Sequence, residues 1–319
     1  MILFVFVGFA ASFLWAVGRI ATDRLAPIQY LHWLPTIVAL AITIACASAL
    51  LASNWRRCRR VMWLIALVQA GVFFAQDFGF ARTQTLAAGE STVRIAHINP
   101  NWPGAESSTV ADSLAAGLTD AFGRPGPDVI FLSEVGALLN PDDARKYSPK
   151  DAVAYSVGRF GILSRVPVVE LTPLFDDSKS TAVIVRFGAV NGMPSWSALL
   201  IDAPSAPQLP RYALWSELRT RIDGLGVAPP DVIIGDLNTA RGAASLRKFA
   251  PEMRDAFAIA GIGYGASFPR RFPLWHIDQM LVGPRVEVIR YEVINTGFGK
   301  HCMQSAVIHI WQAGTAQRK

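Results

Sequence analysis

Charged side chains are scarce in this sequence, which has 17% charged and 52% hydrophobic residues over its 319 positions. An ordinary soluble domain has roughly 25% charged residues, so this composition is atypical of a fully water-soluble enzyme. The apolar residues are concentrated in three uncharged runs near the N-terminus, each close to the ~20 residues that a helix needs to cross a bilayer. The sequence therefore predicts three transmembrane helices, at about residues 2–18, 31–53 and 61–77.

A basic segment is missing before the first apolar run, and two more apolar runs follow it. Both observations favour a permanent membrane helix over a cleaved secretory signal peptide. The third run is the shortest and contains Gln69, so a re-entrant segment stays open as an alternative. We interpret residues 1–82 as a membrane anchor and residues 83–91 as a linker.

Basic residues are unevenly distributed around the apolar runs. Arg56, Arg57, Arg59 and Arg60 lie between the second and third runs. Positively charged loops stay in the cytoplasm, so this loop and the N-terminus are predicted to be inside. Everything after the third helix is then outside. The pattern predicts a multi-pass protein of the inner (cell) membrane whose main domain is periplasmic or extracellular.

A strong positive charge is absent from the rest of the chain. The formal net charge is +6, but residues 1–90 hold seven arginines against three acids, so most of the excess belongs to the predicted anchor. The part that follows has no charge excess that would require a polyanionic partner.

Cysteine is rare, with only Cys46, Cys58 and Cys302. The predicted topology places them in a span, a cytoplasmic loop and the external domain. No internal disulfide is therefore expected. The CxxC pairs of zinc sites are also absent, which excludes that class of metal centre.

From about residue 92 to residue 313, short apolar segments alternate with turn residues and helical patterns, which predicts an α/β domain followed by a tail at 314–319. The strand "VRIAHINP" ends at Asn99, with Asn101 as a competing choice in the same loop. The buried strand "PDVIFLSEV" delivers Glu134. Its counterpart "PDVIIGDLN" ends in Asp236 and Asn238, which point to one face because they are two residues apart.

These segments, together with "FGILSR", "HIDQM" and a terminal strand preceded by His301, follow an order that resembles the endonuclease/exonuclease/phosphatase superfamily over roughly residues 92–311. Three spans ahead of such a domain resemble a membrane-anchored bacterial subgroup. The resemblance implies a four-layer α/β/β/α sandwich of two mixed sheets. It also implies hydrolysis of a phosphodiester or phosphomonoester with Mg²⁺ or Mn²⁺.

The same resemblance assigns roles to the acids and amides. Glu134 and Asn99 are the expected metal ligands, because Mg²⁺ prefers oxygen ligands and accepts few of them from protein. Asp236 is expected to orient the attacking water, and Asn238 to bind a phosphate oxygen without adding negative charge. Asp278 is expected to support the active-site histidine. Capping of a local turn by Asp236 and Asn238 is the alternative.

His301 is expected to contact the scissile phosphate. Two positions depart from the family pattern. Lys300 stands where the family has an aspartate in a Ser-Asp-His run, and Asp202 stands where a second histidine is expected. Lys300 can contact phosphate as a point charge, and Asp202 can serve as a carboxylate partner or an extra ligand. In an alternative register, Gln304 occupies the histidine position, which favours a degenerate site.

Arg211, at the start of a predicted helix, is either a phosphate contact or part of a solvated helix terminus. The sequence thus supports a membrane-anchored metal-dependent phosphoesterase. The alternative is a catalytically impaired pseudoenzyme that binds a phosphorylated or anionic ligand at the membrane. The substrate stays open among a phospholipid head group, a nucleic acid and a small phosphoester, since fold does not select it. No protein partner can be inferred from the sequence.

Overall fold

The structure is a computed structural model that describes residues 1–51, 53–80, 91–100, 126–135, 152–177, 180–190, 192–297 and 299–312. Asn101, most of the predicted linker and the predicted tail lie outside these residues. The chain divides into two compact units. The first comprises Met1–Gly79, Ala206–Thr220 and Thr239–Pro251, and the second comprises Phe80–Ser205, Arg221–Asn238 and Glu252–Lys319.

The first unit is helical. Its elements are α1 (Ile2–Ala21), α2 (Ala26–His32), α3 (Thr36–Ala49), α4 (Arg56–Val72), a π-helical turn (Phe73–Asp77), the two-residue strand β1 (Phe78–Gly79), most of α5 (Arg211–Gly224), and α6 (Ala244–Phe249). Small residues allow the N-terminal helices to approach closely. A Cβ on Gly8 would lie 2.8 Å from the Met62 methyl carbon, and one on Gly18 would lie 2.2 Å from the Leu31 carbonyl oxygen.

Two described helices, Ile2–Ala21 and Arg56–Asp77, are long and apolar enough to cross a membrane. The predicted second span is divided between α2 and α3, which meet at a bend of 66°. Pro35 explains the break, because proline disfavours helical backbone at the residue before it. The described part of the chain therefore has two candidate spans, or three if the bent pair counts as one.

Polar side chains are also buried among these helices. The Ser12 hydroxyl lies 2.9 Å from the Thr43 hydroxyl, and the Gln69 amide donates to Ser12 at 3.4 Å. Such contacts hold apolar helices together where hydrophobic burial alone does not distinguish helix from lipid. On their outer faces, large apolar side chains such as Phe6 and Leu67 are exposed.

The second unit contains two sheets and the short helix α7 (Ala256–Ala260). Its strands are β2 (Val93–Ile98), β3 (Val129–Leu132), β4 (Val153–Val157), β5 (Phe160–Ser164), β6 (Val168–Asp176), β7 (Thr181–Phe187), β8 (Trp196–Asp202), β9 (Val232–Asp236), β10 (Arg254–Asp255), β11 (Gly261–Tyr264), β12 (Asp278–Val282), β13 (Val286–Ile294) and β14 (Met303–Ile310).

Within this unit, one sheet follows the order β11-β13-β14-β2-β3-β5-β4 and the other follows β10-β12-β9-β8-β7-β6. Both are mixed, because β2 is parallel to β3 and β8 is parallel to β9 while most other pairs are antiparallel. The prediction of two mixed sheets in an α/β fold is confirmed.

Apolar side chains from both sheets form one core, which includes Phe131 of β3, Val185 of β7 and Ile234 of β9. In it, the Phe187 and Trp196 rings stack with centroids 4.1 Å apart. The core holds the two sheets against each other.

Candidate active site

Three carboxylates form a row across the six-stranded sheet. Asp236 of β9 pairs in register with Asp278 of β12 on one side and with Asp202 of β8 on the other. All three residues are at most 3% exposed. Paired positions on neighbouring strands point to the same face, so the sheet register alone brings the three acids together.

Gly235 allows this register locally. Its φ is +152°, and a Cβ added there would lie only 1.8 Å from the Ile201 carbonyl oxygen on β8. Any side chain would therefore collide with the neighbouring backbone. The glycine of "IGDLN" permits the close approach of β8 and β9 directly before Asp236.

His301 lies opposite the acidic row, just before β14. Its Nδ1 is 2.8 Å from Asp278 Oδ2, and its Nε2 is 3.8 Å from Asp236 Oδ2. The Phe268 ring packs against the imidazole at a centroid distance of 4.7 Å. The backbone N–H of Asp278 donates to the Ser267 hydroxyl at 3.2 Å. Asp278 thus orients His301 and is itself held in place.

The charges in this group are strongly coupled. Burial alone would lower the pKa of His301, but the charge and hydrogen bond of Asp278, helped by the charges of Asp236 and Glu134, raise it to about 9. Burial also works against ionisation of Asp278, but the His301 charge outweighs it and the pKa of Asp278 is lowered. Asp278 and His301 therefore form an ion pair at neutral pH.

Asp236 behaves differently from Asp278. Burial, reinforced by the charge of Asp278, raises the pKa of Asp236 above its usual range. The Asn99 amide donates to Asp236 Oδ2 at 2.9 Å, and the backbone N–H of Asn238 donates to Oδ1 at 3.1 Å. These bonds fix the orientation of the Asp236 carboxylate and favour its charged form.

Two residues beside the acids have left-handed backbone conformations, Glu134 with φ of +51° and Asn238 with φ of +44°. Such conformations are uncommon outside glycine and cost about 1 kcal/mol or more. Each residue follows the end of a strand, where the chain turns away from its sheet. The Asn238 side-chain amide donates to the Ala203 carbonyl at 2.8 Å, which ties the loop after β9 to the loop after β8.

Asp202 is paired with an arginine that the sequence reasoning missed. Arg159, in the turn between β4 and β5, places one guanidinium nitrogen 3.5 Å from Asp202 Oδ2 and another 3.8 Å from Asp176 Oδ1. Burial and then the charge of Glu134 raise the pKa of Asp202 to about 7, despite the opposing effect of Arg159. In the sequence, Arg159 is only one residue of the turn "VGRFG", and no local pattern links it to Asp202 of β8.

A second buried histidine, His97, is uncharged and belongs to a hydrogen-bond network of uncharged side chains. Burial lowers the pKa of His97 to about 4. Its Nδ1 is 3.0 Å from the Gln304 amide nitrogen, and its Nε2 is 2.9 Å from the Ser133 hydroxyl. The Gln304 amide oxygen accepts from the Tyr291 hydroxyl at 2.7 Å. His301 therefore contacts the acidic row, whereas Gln304 bonds to His97 and Tyr291 and does not occupy the position of His301.

The family model described as "Endonuclease/Exonuclease/phosphatase family" matches residues 105–297, which is more than half of the chain. The chain belongs to this family. The match begins after Asn99 and ends before His301. The expected roles of these two residues therefore depend on the structure and on the sequence pattern alone.

Solved structures of the family have the same fold. A family protein from Bacteroides thetaiotaomicron is 14% identical, with 72% of this chain and 98% of that chain covered and a TM-score of 0.56. The Bacteroides thetaiotaomicron mannosyl-6-phosphatase is 15% identical, with coverages of 68% and 99% and a TM-score of 0.54. D. rerio TDP2 in complex with a single-strand DNA product is 15% identical, with coverages of 69% and 100% and a TM-score of 0.51. No curated protein matches the chain significantly.

The donor set of this family member fits a divalent cation. Asp202 Oδ1 and Asp278 Oδ1 are buried and have no hydrogen-bond partner among the described residues. Asp236, Asp278 and His301 also place ligand atoms within 4.8 Å of one another. A protonated imidazole cannot bind a metal, however, so oxygen atoms are the better candidates for ligands. Family enzymes of this type generally use divalent metals.

Two further residues, Lys300 and Arg211, were predicted as substrate contacts. Lys300 is exposed, and its carbonyl accepts from the Arg270 backbone N–H at 2.7 Å. The Arg270 side chain donates to the Gly299 carbonyl at 2.9 Å, so this arginine holds the loop before His301. Arg211 belongs to the first unit, where it is fully buried and its guanidinium lies 5.5 Å from the Trp33 ring centroid.

Proposed function

We propose that this protein is a membrane-anchored, divalent-metal-dependent phosphoesterase that hydrolyses a phosphodiester or phosphomonoester outside the cytoplasm. The observation that carries the proposal is the in-register row of Asp278, Asp236 and Asp202 facing His301. A row of buried acids against one protonated imidazole is costly unless it serves a charged ligand or a reaction.

Glu134 and Asn99 are the proposed metal ligands, with Asp202 Oδ1, which has no hydrogen-bond partner among the described residues, as a proposed extra ligand. Asn99 is 1% exposed and directly follows β2, while the partly buried Glu134 follows the parallel neighbour β3. Both side chains therefore come from the same edge of one sheet. Mg²⁺ or Mn²⁺ bound there would neutralise the phosphate charge and polarise its oxygens.

The other residues divide the proton chemistry between them. Asp236, whose pKa burial raises, is the proposed acceptor that orients the attacking water. His301, held protonated by Asp278, is the proposed donor to a phosphate oxygen, which gains negative charge in the transition state. Asn238 is the proposed contact for another phosphate oxygen, as is Lys300 from the exposed loop.

The proposed substrate is a phosphoester, and its class stays open. The name of one structural neighbour indicates a sugar-phosphate phosphatase, and the other neighbour was solved with single-strand DNA. Fold similarity at this level of identity does not choose between such substrates. A phospholipid head group, a nucleic acid or a small phosphoester all remain in the proposal, with proximity to the bilayer favouring the first.

We place the catalytic domain on the outer side because of the four arginines at residues 56–60. A further observation supports this topology. Within the first unit, Asp23 in the loop after α1 bonds to segment 239–251. Gln29 of α2, ahead of the predicted span 31–53, bonds to segment 206–220. These parts of the chain must therefore lie on one side of a membrane. The arginine pattern also puts that loop outside.

A binding-only pseudoenzyme is the second candidate. It is favoured by Asp202, which is buried against Arg159 where the family pattern has a histidine, and by Lys300, which takes the place of an aspartate. Such a protein would bind an anionic ligand without hydrolysis and without a requirement for metal.

The test is hydrolysis of bis-(p-nitrophenyl) phosphate and p-nitrophenyl phosphate by the full-length protein in detergent, with Mg²⁺, Mn²⁺ or chelator. Glu134→Gln and Asp236→Asn should each lower metal-dependent turnover by roughly 10²-fold or more, whereas Glu252→Gln, an exposed control, should leave it unchanged. Absence of turnover with either metal, combined with ligand binding that survives chelator in calorimetry, would favour the binding-only protein.

A further inference from the structure

The N-terminal helices bind two later segments of the chain through buried polar side chains. Gln29 of α2 is fully buried in the first unit. Its side-chain nitrogen donates to the carbonyls of Pro207 at 2.8 Å and Leu209 at 3.1 Å. Its side-chain oxygen accepts from the backbone N–H of Arg211 at 3.0 Å. One glutamine therefore satisfies three backbone groups where α5 begins.

Asp23, just after α1, makes the matching contact with the second segment. It is 1% exposed, and its Oδ1 accepts from the backbone N–H of Ser245 at 3.1 Å. Ser245 lies in the first turn of α6, where helix N–H groups lack partners within the helix. A carboxylate at this position satisfies one such group and interacts favourably with the helix dipole.

The two segments are also joined to each other. The Trp215 indole donates to the Thr239 hydroxyl at 2.8 Å, and the Arg219 guanidinium donates to the Phe249 carbonyl at 3.0 Å. Together with the bonds of Gln29 and Asp23, these contacts make the helices and both segments one compact unit.

The position of these segments in the chain gives the contacts their importance. Segment 206–220 begins shortly after Asp202, the last residue of β8. Segment 239–251 begins directly after Asn238, in the loop that follows Asp236. Both loops that leave the acidic row therefore lead into backbone that the N-terminal helices hold.

A simple membrane tether would not need such contacts. Burying an amide or a carboxylate costs free energy unless it is hydrogen-bonded, and an apolar residue would suit a lipid-facing helix better. Gln29 and Asp23 instead have bonding geometry that matches backbone groups elsewhere in the chain.

We propose that the N-terminal helices position the active-site loops, with Gln29 and Asp23 as the positioning residues. The structural part of this inference stands by itself, and only its consequence for catalysis rests on the proposed function. In this proposal the N-terminal helices both anchor the enzyme and position the loops of its active site.

The test is hydrogen exchange of the full chain in detergent, followed by mass spectrometry of peptides from 206–220 and 239–251. Gln29→Leu should speed exchange in 206–220 by roughly tenfold or more, because three backbone groups lose their partner. Asp23→Leu should do the same in 239–251. Asp23→Asn, which keeps an acceptor oxygen, should retain most of the protection.

The matched control is Gln69→Leu, which removes another buried glutamine of the same helices, one that bonds to Ser12. It should leave exchange in both segments unchanged. If Gln29→Leu and Asp23→Leu also leave both segments unchanged in a folded protein, the proposal is wrong. Because exchange is measured without substrate, this outcome is independent of whether the chain hydrolyses a phosphoester.

The catalytic consequence has its own readout. Where wild-type turnover is measurable, Gln29→Leu should lower kcat more than it raises KM, because Asp202, and Asn238 through its bond to the Ala203 carbonyl, lose their alignment while the site stays present. Gln69→Leu should change neither constant. A Gln29→Leu protein with faster exchange but unaltered kcat and KM would contradict the positioning role and leave a structural one.

Discussion

The two sheets of the second unit contribute to the candidate site in different ways. In the six-stranded sheet the carboxylates of Asp202, Asp236 and Asp278 lie at ends of paired strands, so backbone register determines their spacing. From the other sheet, the groups come from positions just beyond strand ends, with Asn99 and Glu134 as examples. The acidic side is thus built on rigid backbone, whereas the opposite side depends on loop conformation.

The histidines on either side of Asp278 sharpen this comparison. His301 Nδ1 is 2.8 Å from Asp278 Oδ2 and its pKa is raised to about 9, whereas His97 Nδ1 is 3.8 Å from Asp278 Oδ1 and its pKa is lowered to about 4. Both are buried, so a direct hydrogen bond to the carboxylate distinguishes them. The site therefore combines one charged imidazole, His301, with one neutral imidazole, His97.

The largest expected effect comes from removing the central acid of the rigid row. Asp236→Asn keeps the shape of the side chain but removes the negative charge that would accept a proton. We expect kcat to fall by roughly 10²–10⁴-fold in the p-nitrophenyl assays. Retention of wild-type turnover by this variant would show that the role assigned to Asp236 is wrong.

The row of Asp202, Asp236 and Asp278 should also depend on the backbone conformation of Gly235. In Gly235→Ala, a Cβ would collide with the Ile201 carbonyl, and alanine disfavours the φ of +152°. We expect a loss of roughly 3 kcal/mol of stability, measured as a lower Tm or a loss of folded protein. Gly224→Ala is the control, since no atom lies within 4 Å of the added Cβ. Equal stability of the two variants would contradict the close approach of β8 and β9.

We expect the stability contributions of the two histidines to depend on pH in opposite directions, in protein from which metal has been removed by a chelator. The pKa of His301 is raised, so its contribution to stability is complete below about 6.5 and is lost as pH rises toward 9. The pKa of His97 is lowered, so its contribution is complete above about 6.5 and is lost as pH falls toward 4. Imidazole NMR should resolve both titrations, and His301→Gln should remove only the alkaline one. Two histidines that titrate together would refute the comparison.

The smallest effect is expected at the exposed loop. Lys300→Asp restores the acid of the family pattern beside His301, so activity should be preserved or raised by a few fold. Lys300→Gln is the matched control, since it removes the cation without adding an acid, and its turnover should stay close to that of the wild type. A large loss of turnover in both variants would instead identify Lys300 as an essential phosphate contact.

The sequence was sufficient to predict the two mixed sheets and the family, because both depend on short apolar segments in a fixed order. It was less successful with the second membrane span. Hydropathy ran unbroken across residues 31–53, but Pro35 divides this region into α2 and α3. An average over a window does not detect a local break in backbone hydrogen bonding.

Local periodicity placed Glu134, Asp236 and Asn238 at strand ends and predicted that such ends carry chemistry. It could not indicate that Arg159 faces Asp202, that Gln304 supports His97, or that Gln29 bonds to segment 206–211. Each of these contacts joins residues far apart in the chain, and strand register or helix packing decides it. The hydrophobic pattern of the sequence thus determined the elements and their order. Only the tertiary structure decided which polar side chains bond to each other, because burial requires most polar groups to find a partner within the folded chain.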